Sequence, residues 1–289
     1  MEFIDTHTHL FVSEFGEDRD SVVRRAVEAG VKRLCLPSIT EESLPTIMDM
    51  CEAYPGICFP MIGLHPTELG DDYKATLERL YGRLKSDSRY IAVGEVGIDL
   101  YWDDTRKKEQ IDAFCTQIEW AAELGLPLAI HSRNAFDELY DVMDSYRGRG
   151  LTGVFHCFSG SEEEAQKLLS FDGFYLGIGG VVTYKKSTLP SVLESVPLER
   201  IVLETDSPYL PPVPFRGKRN ESAYVPHIAE FLSGVYGCSV DDVARVTTSN
   251  ACKLFPFLVV KYKSFYILSF TFFGYCSIYK FYNFFFCST

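Results

Sequence analysis

The first residues able to do chemistry come at the start of the chain, in Asp5-Thr6-His7-Thr8-His9. Residues two apart on an extended strand face the same way, so His7 and His9 can offer imidazoles to one ion, with Asp5 in the same phase one step deeper. An isolated His-x-His is equally compatible with a histidine pair on a partly wet loop. Side chains of the same chemical kind recur downstream, and that recurrence favours the first reading. His65 lies in Gly63-Leu64-His65-Pro66, Glu95 in Gly94-Glu95-Val96-Gly97-Ile98-Asp99, and His131 in Ala129-Ile130-His131-Ser132-Arg133. His156 follows in Val154-Phe155-His156-Cys157-Phe158-Ser159-Gly160, and Asp206 in Leu203-Glu204-Thr205-Asp206-Ser207-Pro208. Mixed imidazole and carboxylate donors suit Zn²⁺, Mn²⁺ or Mg²⁺, and the large imidazole share leans toward the first two.

These residues need a scaffold that brings them together. Short β-branched runs ending in turn residues alternate with longer amphipathic segments, the pattern of a parallel sheet. The runs predict strands at Phe3–His7, Val31–Pro37, Cys58–His65, Ile91–Ile98, Pro127–His131, Leu151–Phe158, Phe174–Val181 and Ile201–Asp206. Helical periodicity marks Asp20–Ala29, Thr105–Leu124, Ala135–Tyr146 and Glu162–Ser170, and Gly30 and Gly125 stand where a helix end needs a left-handed residue. Eight such units predict an α/β fold closed as a (β/α)8 TIM barrel, with a doubly wound sheet of the same length as the alternative. Five of the six histidines fall at or near predicted strand ends. Leu128 and Ile130 are out of phase with His131, and Leu203 and Thr205 with Asp206, so the polar members point inward at the C-terminal face, where barrel enzymes carry their sites.

Composition narrows the setting. With 289 residues, 46% of them hydrophobic, the chain has the make-up of a soluble globular protein. Its N-terminus lacks the basic and apolar segments of a secretory signal, which predicts a cytoplasmic location. Nine cysteines without a Cys-x-x-Cys pair indicate buried thiols rather than a zinc ribbon or disulfide framework. A net charge of −12 argues against coating long tracts of nucleic acid, so such a substrate would be met locally. The place for that is the proline-stiffened stretch Pro211 to Asn220, which carries Arg216, Lys218 and Arg219. Tyr101 and Trp102, after Asp99, are suited either to stacking on a base or to packing at the barrel rim. Residues 257–289 differ in kind: they hold three lysines, no acid and a dense run of Phe and Tyr. They are expected to be a hydrophobic tail outside the catalytic fold of residues 1–256. Their longest uncharged run is shorter than a spanning helix needs, and contact with a membrane or a partner is the other reading of this tail.

Taken in order, these motifs, together with His131-Ser132-Arg133 and Glu204-Thr205-Asp206-Ser207-Pro208-Tyr209-Leu210, resemble the TatD family of metal-dependent deoxyribonucleases within the amidohydrolase superfamily. The resemblance covers about residues 1–256. It implies two divalent ions, Mg²⁺, Mn²⁺ or Zn²⁺, with His7, His9 and Asp206 on the first, His131 and His156 on the second, and Glu95 bridging. Ions ~3.5–4 Å apart would polarise a phosphoryl oxygen and lower the pKa of an attacking water to about 7. Glu95 and Asp206 are then the catalytic carboxylates, with Asp206 also placed to orient or deprotonate the water. His65 and Arg133 share the rim and are assigned, with Arg216, Lys218 and Arg219, to substrate phosphates. Glu204, in phase with Asp206, is expected to orient a ligand from behind. The implied activity is hydrolysis of DNA phosphodiesters from single-stranded or frayed ends, 3′ to 5′. The same water activation would also serve an ester or amide hydrolase such as an aminoacyl-tRNA deacylase, and a barrel without turnover is the reading from another class.

Overall fold

The computed structural model describes residues 1–259 and the backbone of strands 264–270 and 276–282. Eight parallel strands are each followed by a helix. The strands are β1 (Phe3–Asp5), β2 (Val31–Pro37), β3 (Cys58–Met61), β4 (Val93–Asp99), β5 (Leu128–Arg133), β6 (Gly153–Phe155), β7 (Phe174–Ile178) and β8 (Ile201–Leu203). The helices are α1 (Arg19–Glu28), α2 (Leu44–Ala53), α3 (Tyr73–Ser86), α4 (Lys107–Leu124), α5 (Phe136–Ser145), α6 (Glu162–Leu169), α7 (Leu189–Leu193) and α8 (Val225–Tyr236), with α9 (Val240–Leu254) added at the end. Strands β1 to β3 and β4 to β8 form two continuous runs. The bridge Ile62–Val93 joins one seam and Thr8–Ser207 the other. Backbone bonds from Thr6 N–H to the Leu203 carbonyl and from Asp206 N–H to the His7 carbonyl tie the second seam, so the sheet closes as the predicted (β/α)8 barrel.

Alternation sorts the strand residues into two cores. Phe3, Leu34, Ile130, Phe155, Leu176 and Leu203 face outward into the layer between strands and helices, while Ile4, Cys35, Met61, Ala129, Val154 and Val202 fill the barrel interior. Leu254, Phe255 and Leu258 join the interior group, so the end of α9 and the turn after it form the barrel floor. The packed chain therefore runs through Leu258, which is buried, two residues beyond the expected boundary at Pro256. Strands β9 (Ser264–Phe270) and β10 (Cys276–Tyr282) pair antiparallel as a separate two-stranded sheet. The remainder of the expected tail lies outside the described residues. No helix among the described residues is long and apolar enough to cross a membrane.

The helix predictions fall within two residues of the observed ends, and Gly30 and Gly125 take the left-handed backbone expected of them, with φ of 94° and 64°. Several strands stop short of the prediction. β1 ends at Asp5 rather than His7, β3 at Met61 rather than His65, β6 at Phe155 rather than Phe158, and β8 at Leu203 rather than Asp206. Beyond these points the chain turns away from regular pairing. Cys157 and Asp206 have φ of 48° and 55°, a region that non-glycine residues seldom occupy and that concentrates at functional sites.

Candidate metal centre

The interior apolar layer explains how the polar one above it is placed. Ala129, Val154 and Val202 fill the barrel, and two residues further along the same faces stand His131, His156 and Glu204, about 7 Å nearer the C-terminal mouth. Glu95 reaches the same level differently. β4 pairs Gly94 with Ala129 and Val96 with Ile130, which makes Glu95 the extra residue of a bulge, and its N–H goes to the carbonyl of Ser38, just past the end of β2. A bulge re-aims a side chain off the regular alternation, and here the carboxylate points into the barrel. β4 and β5 approach closely at this level: Gly97, with φ of 144°, lies so near the His131 carbonyl that a Cβ would overlap it.

The two oxygens of Glu95 face two sets of imidazoles. Oε2 lies 3.2 Å from His7 Nε2 and 3.4 Å from His9 Nε2. Oε1 lies 2.9 Å from both His131 Nδ1 and His156 Nε2, and 3.3 Å from His65 Nε2. Asp206 Oδ1 closes the first set at 3.2 Å from His9 Nε2 and 3.9 Å from His7 Nε2. The rings of His7 and His156 stack 3.7 Å apart, so the sets share a wall.

These donors fit a divalent cation. Metal–nitrogen bonds of about 2.0–2.1 Å place tetrahedral ligands about 3.3 Å apart, close to the 3.2 Å that separates His9 Nε2 from both His7 Nε2 and Asp206 Oδ1, while His7 and Asp206 stand wider at 3.9 Å. His7 and His9 direct Nε2 atoms at each other across 3.2 Å, an arrangement for which two imidazoles alone have no more than one shared proton. Charge points the same way. Burial disfavours an ionised Glu95, but His156, His65 and His7 outweigh it and hold the carboxyl well below its usual range. Burial likewise opposes protonation of His156, yet Glu95 and Glu204 push it well above the ordinary imidazole value. The pocket thus concentrates negative potential that a cation can take over from protons. Among the described residues, the groups with metal-compatible donor spacing are His7, His9 and Glu95; His7, His156 and Asp206; and His65, Glu95 and His131.

Residues 4–256 match the family model described as TatD related DNase. The chain is 35% identical over 252 residues to the metal-dependent hydrolase YabD of Bacillus subtilis (strain 168), covering 87% of this chain and 98% of that one. It is 32% identical over 260 residues to the 3'-5' ssDNA/RNA exonuclease TatD of Erwinia billingiae (strain Eb661), covering 87% and 98%. The crystal structure of YjjV, a TatD homolog from Escherichia coli K12, superposes with a TM-score of 0.81 at 31% identity, covering 88% of this chain and 98% of that one. The chain belongs to the TatD family.

It is accordingly a metal-dependent hydrolase with the amidohydrolase-type barrel, and this favours turnover over the non-catalytic scaffold. In this TatD family member the carboxylates behind the ligands are as informative as the ligands. Glu204 is fully buried, accepts the Cys157 N–H at 2.6 Å and lies 3.4 Å from His156 Nδ1. Its fit depends on Gly177, where a Cβ would collide with the carboxylate. Asp99 does the same for His131, with Oδ2 2.9 Å from Nε2. Sequence reasoning assigned Asp99 no role, although an acid closing an apolar strand four residues after Glu95 was a usable signal. Asp5 proves to be a buried tie between the barrel's first and last strands: it accepts hydrogen bonds from the Thr205 N–H and hydroxyl, and burial raises its pKa to about 7. Because an imidazole's free nitrogen sets the tautomer of the ligating one, Asp99→Asn should weaken metal binding about 10- to 100-fold. Titration against a competing chelator measures this, and an unchanged affinity would remove Asp99 from the site.

The assigned phosphate contacts separate into three groups. His65 is not at the open rim; with Nδ1 2.8 Å from Thr67 Oγ1, it turns Nε2 onto Glu95 and so belongs with the ligand cluster. Arg219 is already committed: it donates to Asp18 at 2.7 Å and to the Glu14 carbonyl, in a network with Arg25 and Glu221 that fastens the loop to α1. Arg133, Arg216 and Lys218 are exposed and make no ion pair among the described residues. The Arg216 guanidinium stacks over Tyr184 at 3.8 Å, and Lys218 lies near the Phe215 ring. Asn220 pins the end of this loop beside the site by donating to the carbonyls of Thr205 and Tyr209.

Proposed function

We propose that this protein hydrolyses phosphodiesters at the 3′ end of single-stranded DNA, using two divalent ions bridged by Glu95. The observation that carries the reading is the division of one carboxylate between two donor sets, Oε2 toward His7 and His9 and Oε1 toward His131 and His156. In that assignment His7, His9 and Asp206 serve one ion, and His131 and His156 the other, with His65 adjoining the second. Bound divalent ions supply Lewis-acid polarisation of a phosphoryl oxygen and a nucleophilic water at neutral pH. The chain's own groups do the rest. Asp206 is kept ionised because the His9 hydrogen bond and the imidazoles of His156 and His7 outweigh its burial, so it can orient the attacking water. Asp99 and Glu204 hold two ligand rings in place, and Arg133 and Arg216 offer unpaired guanidinium groups to the phosphates of the strand.

A strand end suits this site because cations are local to the mouth while the whole chain carries a net charge of −12. The exonuclease name of the Erwinia relative supports the same direction and substrate class. The test is metal-loaded protein incubated with 3′- and 5′-labelled single strands, with and without chelator, beside aminoacyl-tRNA. Stepwise loss of the 3′ label, absent in chelator and in Glu95→Gln, is expected. Exclusive release of amino acid from tRNA would transfer the site to ester hydrolysis.

The cationic groups make a separate prediction. Arg216→Ala should flatten the dependence of log affinity for a single strand on log salt by roughly 0.7 for one lost phosphate contact. Arg219→Ala should leave that slope where it is, since Asp18 and the Glu14 carbonyl already occupy the guanidinium. Equal changes in both variants would contradict the division between a free and a committed arginine.

A further inference from the structure

Tyr101 and Trp102 take no part in the ligand cluster and are not core residues, being 53% and 67% exposed. Large aromatics that open to solvent beside a site need a reason, because rim packing would bury them. Their position is fixed by the site itself. Asp99 holds the His131 ring with Oδ2 and accepts the backbone N–H groups of both Tyr101 and Trp102 at 2.9 Å with Oδ1. One carboxylate thus sets a ligand ring and the aromatic pair in a common frame. β5 contributes the third member: Asp99 pairs with Arg133, and the Leu100 N–H donates to the Arg133 carbonyl. The Arg133 guanidinium lies 3.9 Å from the centre of the Tyr101 ring and 5.3 Å from that of Trp102, and the two rings meet edge to face. Arg133 is two residues beyond His131 on the same strand, about 7 Å along it.

We infer that Trp102, Tyr101 and Arg133 form a base-stacking subsite that holds the nucleobase next to the scissile phosphodiester. This inference rests on the nuclease reading and specifies how that site would grip its substrate. An exposed indole face and a planar guanidinium are the two surfaces on which an unpaired base stacks, and both tolerate any base. The guanidinium, having no acid partner among the described residues, also carries the charge that complements the flanking phosphate. Duplex DNA hides its base faces within the stack, so the platform selects a single-stranded or frayed end. The order of parts, ligand ring, carboxylate, aromatic pair, keeps the base in register with the reacting phosphate.

Two measurements test this, one of them independent of hydrolysis. Trp120 is buried, so Trp102 is the only exposed tryptophan, and its emission reports on the platform. In chelator, an eight-residue oligothymidylate should quench that emission saturably, an abasic strand of equal length and charge should not, and Trp102→Phe should lose the response. In the loaded enzyme, Trp102→Ala should lower kcat/KM on a single strand by about 10- to 100-fold. Moving one abasic residue through the three 3′-terminal positions should cost the wild type a similar factor at one of them and cost Trp102→Ala little more. Quenching without any strand hydrolysis would reject the nuclease reading and leave the subsite standing. Hydrolysis of single strands with no base-dependent quenching, or equal losses on intact and abasic strands in Trp102→Ala, would reduce the pair to rim packing and overturn the inference.

Discussion

Replacing Glu95 with glutamine is expected to lower hydrolysis by at least about a thousandfold and to strip metal from the protein. The reason is the number of partners that one side chain serves. Among the described residues, Glu95 is the carboxylate that lies within 3.4 Å of both donor sets, with oxygens 2.9 to 3.4 Å from five imidazole nitrogens. An amide of the same shape keeps one oxygen but substitutes an NH₂ that cannot ligate, so one donor set would lose the oxygen proposed to bridge from Glu95. Lewis-acid stabilisation of a developing phosphoryl charge is worth several kcal/mol, and each ~1.4 kcal/mol is a factor of ten in rate. On the proposed two-ion reading, loss of one ion accounts for the thousandfold. Metal content by elemental analysis and kcat/KM on a labelled strand should fall together. Retention of both ions with more than a tenth of the wild-type rate would show that the bridge is dispensable. Because the ligands act as one unit, adding Asp206→Asn to Glu95→Gln should cost far less than the two single losses combined.

The reason that Glu95 could be picked out as the bridge while the way its side chain is aimed could not lies in what each kind of signal encodes. Alternation correctly put His131 inside the barrel, since Ile130 is anchored in the outer core and Ala129 in the inner one. The same rule cannot handle Glu95, because the bulge at that residue breaks the period on which it depends. Strand ends failed for a related reason. Apolar and β-branched runs continue past the last paired residue, but at Cys157 and Asp206 the backbone leaves extended geometry to aim side chains at the centre, and no propensity reports a turn that only the assembled site requires. The cations illustrate the other limit. Arg216 and Arg219 are three residues apart in one basic loop, and only their partners distinguish them: an aromatic face for one, Asp18 just before α1 for the other. Long-range pairing of that kind, like the grip of Asp99 on His131, is written in the tertiary contacts, where spacing along the chain carries no information about it.

Phe255→Ala should destabilise the fold by about 3–5 kcal/mol, although it stands at the end of the barrel opposite the chemistry. Phe255 is fully buried in the same interior cluster as Ile4, Cys35, Met61 and Val202, residues from four different strands. Cutting the ring back to a methyl group removes its transfer energy and leaves a void that the curved strands cannot collapse to fill, because backbone pairing fixes the circumference of the closed sheet. A loss of that size is a large fraction of the ~5–15 kcal/mol by which domains are stable. Urea unfolding followed by circular dichroism reads it as a lower midpoint at constant slope. Leu258→Ala should show a smaller loss of the same kind, since its side chain is buried in the same floor. Indifference to both substitutions would mean that the barrel holds its ligands in register without a floor. The ligand layer stands one side chain above these residues, His131 over Ala129 and His156 over Val154, so a floor that yields should loosen metal binding before the helices unfold. In Phe255→Ala, metal retention on warming should therefore fail at a lower temperature than helical circular dichroism, whereas in the wild type the two should be lost together.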